Sequence, residues 1–102
     1  MNTTTETPGS LPRFNAKQSL HHATLFCNAP KAGHVALAGD FNDWNPMPMT
    51  RMPDGRWMAN LELHHGFHQY IFLVDDKPVL DPNAYGRARN DQDEPVSLMA
   101  LS

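Results

Sequence analysis

Closely spaced turn chemistry constrains this chain more than any other feature. Pro53-Asp54-Gly55, His64-His65-Gly66, Asp75-Asp76-Lys77 and Asp81-Pro82-Asn83 cut it into short apolar runs. Turns recur at intervals of roughly eight to twelve residues, which leaves no room for a long helix and suits the strands of an all-β fold. The segment from Arg56 to Leu63 shows the pattern most cleanly. Trp57, Ala59, Leu61 and Leu63 fall on one face and Arg56, Met58, Asn60 and Glu62 on the other, the period of a strand buried on one side. Trp57 is therefore expected in the core. Further strands are expected over 23–27, 34–38, 48–52, 67–74, 78–80 and 95–101, with a polar loop from Asp81 to about Glu94. About seven antiparallel strands of this size predict two packed sheets, an immunoglobulin-like β-sandwich. The strand over 67–74 is apolar on both faces, so it is either central between layers or offers Ile71 and its neighbours to a ligand or partner.

The chain has 102 residues, enough for one core and no more. Residues 1–13 are rich in Thr, Pro, Gly and Ser and are expected to form a disordered or loosely attached lead, with Phe14 as first anchor of a domain over 14–102. The amino terminus lacks the cationic and apolar regions of a secretory signal, and no run reaches the length of a membrane span. One cysteine, Cys27, excludes an internal disulfide and is expected to be a buried, inert thiol. Together these features predict a cytoplasmic protein without membrane contact. A net charge of −3 lacks the basic footprint of a nucleic-acid binder.

The six histidines, among them His64, His65 and His68, match no zinc spacing. The carboxylates sit mostly on turns, where Asp caps backbone groups. A glycosidase needs two of them facing across a cleft, and neither a phosphate loop nor an activated nucleophile accompanies them. The expectation is a non-catalytic domain with no metal and no cofactor.

The residues that point to a ligand are Gly39-Asp40-Phe41-Asn42-Asp43-Trp44-Asn45-Pro46. A strand here delivers an indole onto an Asn/Asp/Pro turn. Sugars present an apolar C–H face and a rim of hydroxyls, and a flat aromatic beside amides and carboxylates complements both. A core plug is the alternative role for such a Trp.

Four segments in order carry a family resemblance: Val35 to Trp44, Asp54-Gly55-Arg56-Trp57 with Leu61-Glu62-Leu63, Gly66 to Asp75, and Asp81-Pro82-Asn83. Over roughly residues 14 to 102 the chain resembles the family 48 carbohydrate-binding module, or isoamylase early-set domain. Similar modules occur in isoamylases, glycogen branching enzymes and the beta subunit of AMP-activated protein kinase. The resemblance implies an early-set β-sandwich and binding of α-glucans such as glycogen or starch, with Trp44 as the residue that stacks on glucose. It also exposes departures. Where glycogen-binding members carry a lysine after His-Gln-Tyr and a second stacking Trp beyond Val-Asp-Gly, this chain has Ile71 and Pro78, and Asp93-Glu94-Pro95 replaces the usual polar residues before the last strand.

Two functions follow as expectations. One is an α-glucan-binding module centred on Trp44, with Gln69 and Ile71 in the site and with Tyr85 and Lys77 as candidates to replace the lost aromatic and the lost donor. The other is a protein-interaction module, joining a partner or a homodimer through the Gln69, Ile71 and Leu73 face.

Overall fold

The computed structural model describes residues 20–101, so the expected lead over 1–13 and the anchor Phe14 lie outside the described residues. Among the described residues nine strands form, in the order β1 Leu20–Asn28, β2 Val35–Gly39, β3 Met47–Pro48, β4 Thr50–Arg51, β5 Arg56–His64, β6 Gly66–Val74, β7 Lys77–Val79, β8 Gly86–Arg89 and β9 Pro95–Leu101. One sheet runs β1-β5-β4; the other runs β3-β2-β6-β9-β8, with β7 also paired to β6. All pairings are antiparallel. The result is the immunoglobulin-like sandwich predicted from the turn spacing.

The inner faces meet as the alternation requires. Trp57, Ala59, Leu61 and Leu63 of β5 pack with Val35, Leu37, Tyr70, Phe72 and Met99 of the opposite sheet. Trp57 is buried, and its indole N–H donates to the Ala29 carbonyl at 2.9 Å, so its one polar atom is satisfied. Cys27 is buried in the same core. Strand β6 holds the larger sheet together: β2 pairs with Tyr70 to Val74 on one side, and β9 and β7 share the other. Its inward residues Tyr70 and Phe72 belong to the core, while its outward residues are only partly covered.

Two expectations need correction. The strand expected over 48–52 is two separate pairings: β3 bonds β2 in the larger sheet, and β4 bonds β5 in the smaller. The chain changes sheets at Met49, which is buried and donates its amide to the Val35 carbonyl at 2.9 Å. The polar loop expected after Asp81 contains β8, a Gly-Arg-Ala-Arg edge strand on β9. Charged, alternating edge strands protect a sheet from further pairing and carry a weak apolar signal. At the β6–β7 hairpin, Asp75 and Asp76 both adopt left-handed φ, 49° and 69°, the geometry of a two-residue turn whose twist matches its strands.

A Trp44 groove on the outer face of the larger sheet

The Gly39–Trp44 segment is fixed by hydrogen bonds within itself and to β6. Gly39 is buried where an added Cβ would stand 2.4 Å from the Phe41 ring and 2.7 Å from the Gln69 carbonyl oxygen, so only glycine fits this crossing. Asp40 opens a 3-10 turn, Asp40–Asn42. Its Oδ2 accepts the Gln69 amide at 2.9 Å and its Oδ1 lies 3.2 Å from His68 Nδ1, so the turn is fastened to β6. His68 Nε2 meets the His64 carbonyl oxygen at 2.8 Å, and the Phe41 ring packs edge-on to the imidazole. Asn42 closes the turn from within: its Oδ1 accepts the Gly39 amide at 2.9 Å and its Nδ2 donates to the Leu37 carbonyl at 3.3 Å. Asp43 and Trp44 then follow in left-handed conformation, φ 56° and 59°, with the Trp44 amide donating to the Gly39 carbonyl at 2.9 Å. A bulky residue at positive φ is a rare conformation, held here by its surroundings. Four residues of the motif thus build the turn, and the indole it carries is left half-buried.

That indole borders a groove of about 670 Å³. Its apolar wall is Ala38, Ile71, Leu73, Pro78, Leu80 and Val96, and Asn90, Gln92 and Glu94 supply polar groups. Strand register accounts for the set: Ala38 pairs with Ile71, and Leu73 pairs with Pro78, so neighbouring strands put these side chains on one face. Ala38 and Val96 are buried yet stand outside the core cluster, because they lie on the outer face of the larger sheet and not against the second sheet.

The polar rim is ordered by one side chain. Asn90 Oδ1 accepts the amides of Gln92 and Glu94 at 3.0 and 2.9 Å, and its Nδ2 donates to Glu94 Oε1 at 3.1 Å. Asp93 takes a left-handed φ of 62°, and Arg89 donates to its carbonyl at 2.7 Å. The Gln92 side-chain amide, unlike its backbone N–H, keeps no hydrogen-bond partner among the described residues and is available to a hydroxyl. Glu94 is the single carboxylate among the described residues lining the groove.

The sequence-derived site residues are therefore distributed as follows. Trp44 and Ile71 line the groove together, and so does Pro78. Gln69 shares the outward face of β6 with Ile71 but stands beyond the groove wall, opposite Leu98. Lys77 is exposed on β7, opposite Val74 and outside the lining set. Tyr85 is exposed beside Phe67, with ring centroids 5.8 Å apart, and does not border the groove. Leu80, Asn90 and Gln92 belong to the groove without having been singled out in the sequence. The signal that points to the last two is the clustering of Asn, Asp and Gln over 90–93 immediately before a strand.

Residues 9–98 match the family model described as the glycogen recognition site of AMP-activated protein kinase. The beta-1 subunit of 5'-AMP-activated protein kinase from Sus scrofa is 45% identical over 49 residues, which is 48% of this chain and 39% of that protein. The Homo sapiens beta-1 subunit is 43% identical over 49 residues, 48% of this chain and 18% of that protein. The 1,4-alpha-glucan branching enzyme GlgB of Deinococcus radiodurans is 42% identical over 48 residues, 45% of this chain and 7% of the enzyme. The chain thus spans well under half the length of these relatives. With the family model running along most of its residues and an early-set sandwich beneath them, the chain belongs to the family of the glycogen recognition site of AMP-activated protein kinase.

Proposed function

We propose that the domain is a non-catalytic α-glucan-binding module for glycogen or starch-like chains, centred on Trp44 and altered at Ile71 and Pro78. The observation that carries this reading is the half-buried indole held by a hydrogen-bonded turn beside a groove with an apolar wall and an amide rim. The indole and wall suit the C–H faces of glucose, and Gln92 suits its hydroxyls. A single carboxylate in the lining supports binding over hydrolysis, which needs a pair. Ile71 and Pro78 replace a cation and an aromatic with aliphatic surface inside the groove itself, and each lost contact of that kind weakens affinity by about ten-fold or more. The free Cys27 thiol supports cytoplasmic residence as part of the same reading.

Affinity electrophoresis in gels containing glycogen tests it. Wild-type protein is expected to be retarded, and Trp44→Ala to migrate as in a blank gel while keeping its melting temperature. Unretarded wild type, or equal retardation of the variant, overturns the reading.

The apolar character of the wall also favours a second reading, a protein contact or homodimer through Ile71 and Leu73. Both residues line the groove with Trp44, so sugar and protein would compete for one surface. A protein complex that glycogen fails to displace would separate the two.

A further inference from the structure

Phe67 and Tyr85 are the most exposed large apolar side chains among the described residues, at 64% and 71%. Their rings nevertheless pack together, with centroids 5.8 Å apart and planes inclined by 40°. An aromatic pair left in water contributes little to the fold, and its rings are already set against each other before any ligand arrives.

The pair is not isolated from the groove. Alternation along β6 puts Phe67, Gln69, Ile71 and Leu73 on one face, since Tyr70 and Phe72 point into the core. Phe67 and Ile71 are four residues apart on this strand, about 13 Å at the rise of a β-strand. Between them the face is made of Gln69, Leu98 and Gly86, which lie side by side on β6, β9 and β8. Gly86 contributes no side chain, and the Leu98 side chain lies beside it. The Gln69 side-chain amide is half-buried there and has no hydrogen-bond partner among the described residues.

The geometry points to a second sugar platform: Phe67 and Tyr85 stack on the same α-glucan chain whose other end occupies the Trp44 groove, with Gln69 bonding hydroxyls between them. This extension rests on the glucan reading of the groove. It makes the ligand a linear α-glucan long enough to cover both ends of the face. A glycan is the occupant because the path is continuous with the groove of a glycogen recognition family. The stations along the path also alternate stacking surface with hydrogen-bonding amide, the arrangement a chain of sugar rings complements.

Calorimetric titration with maltotriose and maltoheptaose tests the platform, using wild-type full chain, Phe67→Ala/Tyr85→Ala, and Phe67→Trp as the conservative control. Both residues are exposed, so the fold is retained. Wild type is expected to bind maltoheptaose at least about ten-fold more tightly than maltotriose, the worth of one added stacking contact. The double variant is expected to lose most of that preference while binding maltotriose as wild type does, and Phe67→Trp to keep it. A preference unchanged in the double variant, or a loss equal for both sugars, overturns the platform and leaves the groove reading standing. A wild type that binds neither sugar overturns both.

Discussion

Tyr70 Oη donates to Asp81 Oδ2 at 2.6 Å in the interior of the sandwich. The bond joins the middle of β6 to the Asp81-Pro82-Asn83 turn, and the rest of the turn is satisfied around it: the Asp81 amide donates to Ser97 Oγ at 2.8 Å, and Asp81 Oδ1 accepts the Asn83 amide at 2.9 Å. Tyr70, Asp81 and Ser97 are all buried. A polar network of this kind is stabilising when complete and costly when one member is removed.

Tyr70→Phe should therefore destabilise the domain by about 2 kcal/mol, because the ring is kept while a buried carboxylate oxygen loses its donor. Urea unfolding of the variant should show a lower midpoint at unchanged slope.

Stability should also fall on the alkaline side. Burial, then the hydrogen bond and charge of Asp81, push the Tyr70 hydroxyl well above its ordinary range, and burial, then the Asp81 charge, raises the Cys27 thiol. Both groups keep their protons in the folded state after the unfolded chain has begun to release them. Their contribution is complete below the unfolded values, roughly 8.5 for Cys and 10 for Tyr, and is lost as pH rises past each. Melting temperature recorded from pH 7 to 11 should decline in that order, and Cys27→Ala should remove the first part of the decline.

Gly39→Ala should abolish retention by glycogen although Gly39 does not line the groove. The new methyl group collides with the Phe41 ring and with the Gln69 backbone, and only the first can move away. The turn that aims Trp44 must shift, at a stability cost of about 1–3 kcal/mol. Near-ultraviolet circular dichroism reports the displaced indole, and gel retardation reports the lost site.

Ile71→Lys should tighten α-glucan binding by about ten-fold, by restoring a charged donor to the groove wall. The side chain it replaces is half-buried and faces outward, so stability should change little. Titration with a single maltooligosaccharide compares the two chains directly.

The sandwich was legible wherever one face of a strand is buried and the other wet. The alternation of Trp57, Ala59, Leu61 and Leu63 identified a core strand because burial imposes that period. Strand β8 escaped because an edge strand of Gly, Arg and Ala has no apolar face to announce it. Trp44 was legible as a residue carried on a turn, since its Asn/Asp/Pro surroundings are turn formers. Its partners were not: which strands lie beside β2, and that the loop over 90–94 curls over the outer face, are decided by long-range pairing that no local pattern records. For the same reason Tyr85 and Lys77, close to the site in sequence, are found away from the groove.

The crossing at Met49 bears on how the molecule comes apart. Pro48 belongs to one sheet and Thr50 to the other, with a single buried residue between them. Peeling either sheet away strains that link at once, so neither layer opens without loading the other. Hydrogen exchange of the β2 and β5 amides should then converge on one opening free energy, the behaviour of a single cooperative unit rather than two stacked leaflets.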